Sequence, residues 1–307
     1  MVLIVGPGAM GLLLAARLAR AGVEVVLLDR DAARAARLEA AGIELEGQGR
    51  VPVQVRADPT GLAPELVLLC VKAPDTPGAL AALGGVPGTV LVLQNGLGRA
   101  SEVGRRLGDP SRVVGGTTAE GATLLGEGRV RHAGSGPTRL APLVREGHTR
   151  AEAAAALLRR AGLEVAAEDD LPRLEWEKLV VNAAINALTG LLGCPNGALL
   201  RSPAARGMAQ AAAEETGAVA RALGVAGDWS PEAIRRRWEG VAAATAANHS
   251  STLQDLRRGR MTEVHAINGA VAQAAQELDL AAPVNGALDR LVAALEELAC
   301  PNKTPTT

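Results

Sequence analysis

The chain of 307 residues is long enough for two domains, each with its own core. Its 32 basic and 33 acidic residues leave a formal net charge of −1, so no basic field exists to hold a polyanion. Phe and Tyr are absent and only Trp176, Trp229 and Trp238 are aromatic, which removes base-stacking platforms and makes nucleic acid a poor partner.

Cys70, Cys194 and Cys300 are too few and too scattered for a disulfide framework. No Cys/His cluster has zinc spacing, so no metal is expected. His132, His148, His249 and His265 stand alone and read as ordinary surface or satisfied side chains. No apolar run approaches the ~18 residues of a membrane span, and the N-terminus carries no basic leader; no membrane partner and a reducing, cytoplasmic setting are expected.

In the first half, strand-like runs at residues 2–5, 24–28, 66–71, 90–93 and 113–117 alternate with helical stretches at 10–21, 32–41, 76–82 and 100–107. That alternation marks a parallel sheet covered by helices. Further β-like pieces at 122–125, 130–132 and 138–140 are expected to extend the sheet with antiparallel strands. Past Arg150 the chain turns to Ala-rich helix: 151–161 reads as a helix, Val165 as a last short strand, and from Leu171 helices dominate. The fold class is α/β, with a dinucleotide-binding domain over residues 1–167 and an all-α domain for substrate or dimerisation over 168–307. The Pro/Thr tail at 301–307 is expected to be disordered.

Gly6-Pro7-Gly8-Ala9-Met10-Gly11 matches G-x-G-x-x-G between the first strand and the first helix. In that context the glycines permit a tight turn, close approach to a pyrophosphate, and close helix–strand packing. The helix N-terminus offers its N–H groups to phosphate. This is the signature of a Rossmann-type N-terminal domain. The second strand ends Asp29-Arg30: an acid here favours NAD through the ribose 2′-hydroxyl, whereas an adjacent Arg accommodates the 2′-phosphate of NADP. Lys72 closes the third strand, at the edge where such sheets present their crevice, and adds a cation that tips the balance to NADP.

Only three lysines occur, and one of them, Lys178, lies in a helix that is apolar nearly all round. Lys178, Asn182 and Asn186 fall at i, i+4, i+8, a single polar stripe. A buried ammonium needs a wet cavity or a ligand. Lys, unlike Arg, can be tuned by burial into a proton donor. Pro195-Asn196-Gly197 reads as a turn. Ser251 with Gln254 fits a capping box at a helix start, and Glu263 reads as the first turn of the following helix.

Taken in order, these segments resemble the ketopantoate reductase (2-dehydropantoate 2-reductase) family. The resemblance runs from the glycine motif through Val71-Lys72-Ala73, Gln94-Asn95-Gly96-Leu97-Gly98 and Gly116-Thr117-Thr118-Ala119-Glu120-Gly121-Ala122. It continues through Glu177-Lys178-Leu179, Cys194-Pro195-Asn196-Gly197, Ser250-Ser251-Thr252-Leu253-Gln254-Asp255 and Thr262-Glu263 to Ile267-Asn268-Gly269. It implies NADPH-dependent reduction of 2-dehydropantoate to (R)-pantoate in pantothenate and coenzyme A biosynthesis, by a monomer or homodimer acting on a small 2-keto acid.

By that resemblance Lys178 is the general acid that protonates the ketone oxygen. Asn182, Asn186 and Asn196 hold the substrate's hydroxyl and keto oxygens, with Ser251 on its carboxylate. Asn95 lies between nicotinamide ribose and substrate, Lys72 and Arg30 lie near the adenosine end, and the backbone around Ala122 borders the nicotinamide. Glu263 anchors the ribose or the substrate and orients Lys178. Asp29 departs from the NADP-type pattern, where a neutral residue is common, so NADH stays open. Two alternatives remain: a 3-hydroxyacid dehydrogenase of similar build, and a non-enzymatic NADP-sensing regulator.

Overall fold

The structure is a computed structural model and describes residues 1–299; the 301–307 tail lies outside the described residues. It divides into two units. The first comprises Met1–Gln94 and Gly98–Leu174. The second comprises Asn95–Leu97 and the described residues from Glu175 onward.

The first unit holds strands β1 (Val2–Val5), β2 (Val25–Leu28), β3 (Ile43–Leu45), β4 (Gly49–Val51), β5 (Gln54–Arg56), β6 (Leu66–Leu69), β7 (Thr89–Val92), β8 (Val113–Thr118), β9 (Gly121–Gly126), β10 (Arg129–Gly134), β11 (Thr138–Pro142) and β12 (Val165–Ala167). Its helices are α1 (Ala9–Arg20), α2 (Ala32–Ala41), α3 (Thr76–Leu83), α4 (Arg99–Leu107) and α5 (His148–Arg160). Eight strands form the main sheet in the order β12-β11-β8-β7-β6-β1-β2-β5. From β5 to β8 every pairing is parallel, and β11 runs antiparallel to β8.

Alternate residues of the central strands serve two cores. Val2, Ile4, Leu27, Leu66 and Leu68 pack with Leu12–Leu14 and Leu18 of α1 and with Ala151, Ala155 and Leu158 of α5. Leu3, Val5, Val26, Leu28, Val67 and Leu69 pack on the other face with Leu83, Ala100 and Val103. A parallel sheet covered on both faces needs apolar side chains at every position, which is why these strands read as unbroken aliphatic runs.

The pieces at 122–125 and 130–132 do not extend the main sheet. They pair with each other in β9 and β10 and join β3 and β4 in a separate four-stranded sheet, ordered β4-β3-β10-β9. Only the piece at 138–140 adds the expected antiparallel strand, as β11. Strands β3, β4 and β5 were not expected: each is three residues long, and Gly49-Arg50-Val51 and Gln54-Val55-Arg56 carry too few apolar residues for a periodic signal.

The second unit is helical. Helix α6 (Leu171–Leu192) begins in the first unit, where Leu171 and Leu174 join the core, and continues into the second. It ends at Gly193, whose φ of 63° is the left-handed conformation that terminates helices. After it come α7 (Ala198–Arg201), α8 (Pro203–Ala222), α9 (Pro231–Ala244), α10 (Ser251–Arg257), a π-helical stretch His265–Gly269, α11 (Ala270–Glu277) and α12 (Pro283–Ala299). Leu179, Val180, Ala183, Ala184, Ile185 and Leu188 of α6 pack against Ala209, Ala213, Trp238, Val264, Ile267 and Val292.

A chain of amides crosses this core. Asn268 donates to Ala183 O at 3.1 Å and to Asn285 Oδ1 at 2.9 Å, and Asn285 donates to Ala212 O and to Glu215 Oε2. Glu215 in turn accepts from the N–H groups of Val284 and Asn285 at the start of α12. Buried amides are costly unless paired, and these bonds satisfy both side chains except for Asn268 Oδ1, which has no partner. Among the described residues, no helix is long and apolar enough to cross a membrane.

Candidate active site

In the first unit, strand order reverses about β1, which lies between β2 and β6. Open α/β sheets bind ligands at such a switch point, beyond the strand C-termini. The turn from β1 to α1 is built there by three glycines with three different jobs. Gly6 adopts φ 105°, and a Cβ on it would stand 2.8 Å from Val71 Cγ1. On Gly11 a Cβ would stand 2.1 Å from Gly6 O, so α1 can close on the turn only with hydrogen there. Gly8 differs: its Cβ would meet only Cys70 O, at an ordinary 3.7 Å.

The protein's own packing therefore does not require the middle glycine. Gly8 is also the N-cap of α1 and makes no side-chain cap, so Ala9, Met10 and Gly11 start a helix whose first-turn N–H groups have no side-chain acceptor from the cap. Pro7, like Gly8, is partly exposed. These features fit a pyrophosphate. Desolvation of Cys70, below the turn, pushes its thiol up to about 12.

Gly6 N donates to Leu28 O at 3.0 Å, which brings the end of β2 beside the turn. The two charged residues that follow diverge. Asp29 is fully buried, its carboxylate receiving Arg34 Nε, Arg34 Nη2 at 2.6 Å and Asp31 N at 3.1 Å. Arg30 is exposed, with Nη1 2.9 Å from Asp75 Oδ1. Asp75 ends the short 3-10 turn Ala73–Asp75 that Lys72 caps, so Arg30 and the Lys72 loop are joined at the sheet edge. Ala122 lies on β9 opposite His132, beside the buried Glu120 that pairs with His132.

In the second unit the polar stripe of α6 stands as spaced. Lys178 and Asn182 are partly exposed and Asn186 is buried, while their neighbours Leu179, Val180, Ala183 and Ala184 are buried. Solvent reaches Lys178, yet the protein packed around it withdraws enough water to push the ammonium down to about 8, against the opposing pull of the Glu263 carboxylate. Glu263 Oε2 accepts from Asn95 Nδ2 at 2.9 Å. Lys178, Glu263 and Asn95 thus converge within one unit, because Asn95–Leu97 leaves the first unit and Leu97 packs on the helical core.

Glu263 does not lie in a helical turn, as its spacing from Gly259 suggested. It occupies a bend just before the helical residue Val264, and the π-helical stretch His265–Gly269 follows. Its neighbour Thr262 is fixed on both sides: the N–H donates to the buried Glu296 at 2.5 Å, and Oγ1 accepts from Val264 N. Single π turns inside helices often accompany functional sites.

The remaining expected residues are more dispersed in role. Asn196 is buried; its Nδ2 donates to Thr245 Oγ1 at 2.9 Å, and its Oδ1 has no partner. Ser251 is the exposed first residue of α10, and the capping box assigned to it with Gln254 is incorrect. The cap is Ser250, whose Oγ accepts from Leu253 N and from Thr189 Oγ1, while Gln254 donates to His249 O. Two adjacent serines make the register ambiguous from sequence, and the bond to Thr189 on α6 selects the first. Sequence reasoning also missed Arg34 and Asp75; an Arg five residues after an acid carries no recognisable spacing signal. Among the described residues, no group of three or more His, Cys, Asp or Glu side chains could hold a metal ion.

Two family models match this chain: ketopantoate reductase PanE/ApbA over residues 2–145, and the ketopantoate reductase PanE/ApbA C-terminal model over residues 170–296. The chain belongs to the ketopantoate reductase family. A 2-dehydropantoate 2-reductase of Halobacterium salinarum is 37% identical over 298 residues, covering 95% of this chain and 97% of that one. The crystal structure of a PanE/ApbA family ketopantoate reductase from Ralstonia eutropha superposes with TM-score 0.84 at 33% identity, over 97% of this chain and 99% of that one. A D-mandelate dehydrogenase solved in complex with NADH superposes with TM-score 0.87 at 25% identity, over 97% and 99% of the two chains. As a ketopantoate reductase family member the chain is an oxidoreductase of the pyridine-nucleotide type.

Proposed function

We propose that this chain reduces 2-dehydropantoate to (R)-pantoate with NADPH, and that Lys178 is its general acid. The observation that carries the reading is the convergence of Lys178, Glu263 and Asn95 in one unit, with Asn95 bonded to Glu263 at 2.9 Å and burial lowering the ammonium to about 8. NADPH, when bound, supplies hydride to the keto carbon. The chain's own residues must then neutralise the oxygen on which negative charge develops. Lys178 donates a hydrogen bond to that oxygen and passes its proton to it, which an ammonium near neutral pKa does well. Glu263 keeps the ammonium charged and, through Asn95, positions a carboxamide beside it.

Asn182 and Asn186 project along the same helix, each able to donate and accept, which suits a substrate bearing both a hydroxyl and a keto group. Asn196 brings an Oδ1 that lacks a protein partner and that a substrate hydroxyl would satisfy. With the Ser250 hydroxyl committed to its cap, the exposed Ser251 is left to take the carboxylate. Gly6, Pro7, Gly8, Ala9, Met10 and Gly11 receive the pyrophosphate, Ala122 borders the nicotinamide, and Arg30 and Lys72 receive the adenosine end. The partner is the small-molecule 2-keto acid alone, and the protein acts in the cytoplasm as a monomer or homodimer.

A spectrophotometric assay with 2-dehydropantoate and each reduced nicotinamide tests the reading. NADPH oxidation with kcat/KM higher than for other 2-keto or 3-keto acids is expected. No oxidation of either nicotinamide, or a better rate with a 3-hydroxyacid couple, would overturn it.

A further inference from the structure

Asp29 stands at the end of β2, where an acid ordinarily takes the ribose 2′-hydroxyl and repels a 2′-phosphate. Here its carboxylate is 0% exposed. Both oxygens are consumed inside the protein, by the fork of Arg34 and by Asp31 N. The fork is held in place because Asp31 caps α2, its Oδ1 accepting from Arg34 N at 3.0 Å. The next residue, Arg30, is open to solvent and pairs with Asp75, itself about half exposed. An ion pair so exposed is weak and easily exchanged for a phosphate dianion.

We infer that Arg34 is a positioning residue for coenzyme choice: by clamping Asp29 it withdraws that carboxylate from the ribose site and leaves Arg30 as the charge an arriving 2′-phosphate meets. The inference rests on the coenzyme site proposed above. It assigns the NADPH preference to a residue that does not touch the coenzyme. A planar bidentate fork is needed for the task, since a lysine would meet one oxygen and leave the other to turn outward.

The test is fluorescence titration of the unliganded protein with NADPH and with NADH, reading the ratio of the two Kd values. Wild type should bind NADPH more tightly. In Arg34→Ala the freed carboxylate should repel the phosphate and accept the hydroxyl, moving the ratio towards NADH by about tenfold or more. Adding Asp29→Asn to that variant should restore the wild-type ratio to within about threefold. If Arg34→Ala does not fold, Arg34→Lys serves, with a smaller shift in the same direction. A folded Arg34 variant with an unchanged ratio overturns the inference. So does a shift that Asp29→Asn fails to reverse, because Arg34 would then contact the phosphate itself. Wild type that binds neither nicotinamide sinks the coenzyme site, and the inference with it.

Discussion

Asn95 donates through Nδ2 to Glu263 Oε2 at 2.9 Å, although 168 residues separate them. The bond joins a three-residue excursion of the chain to the bend that precedes the π-helical stretch, and the same Glu263 carboxylate raises the affinity of Lys178 for its proton. One acid therefore serves two neighbours, holding the carboxamide and charging the amine.

Replacing Lys178 by Ala should lower kcat by about 10²–10⁴, the usual cost of losing a general acid. The Kd for NADPH, read by fluorescence titration, should stay near that of wild type. Turnover within a few-fold of wild type would remove Lys178 from the chemistry.

The pH profile follows from the sign of the Lys178 shift. Burial lowers the ammonium from 10.5 to about 8, and only the protonated form can deliver a proton. The kcat/KM for reduction should be level below pH ~8 and fall about tenfold per pH unit above it. Glu263→Gln deletes the carboxylate that opposes the shift, so the alkaline limb should move to lower pH. A limb that stays in place, or moves up, would contradict the assignment.

The glycines should separate binding from folding. Gly8→Ala meets only Cys70 O at 3.7 Å, so its Tm should stay close to wild type while NADPH affinity drops. Gly11→Ala drives a methyl group to 2.1 Å from Gly6 O and should destabilise the fold by about 1–3 kcal/mol or more. Urea denaturation and coenzyme titration of both variants would check this; equal effects on stability would be the contrary result.

Asn285→Ala should cost about 1–3 kcal/mol in urea unfolding, because Asn268 and Ala212 O would each lose a buried partner. An unchanged midpoint would mean that water replaces the amide.

Where the sequence was most legible, one period dominated. Residues 2–5, 66–69 and 90–92 are aliphatic throughout because both faces of their sheet are covered, and the G-x-G-x-x-G turn needs no long-range information. The stripe Lys178, Asn182, Asn186 is a property of helical geometry alone. Strands β3 to β5 were illegible because three residues carry no period. The separate sheet of β9 and β10 was illegible because pairing partners are chosen by distance in space, and β3 lies about 85 residues earlier.

Alone, the sequence determined the two kinds of unit, the glycine-rich turn after β1 and the helix that carries a tunable amine, since each follows from residue type and local spacing. Only the tertiary structure decided what the charges face. It buried Asp29 under Arg34, left Arg30 in solvent, placed Asn95 with the helical unit, and chose Ser250 over Ser251 as the cap. The reason is physical: a carboxylate or an ammonium takes its chemical character from the dielectric and the partners around it, and those come from segments distant in the chain.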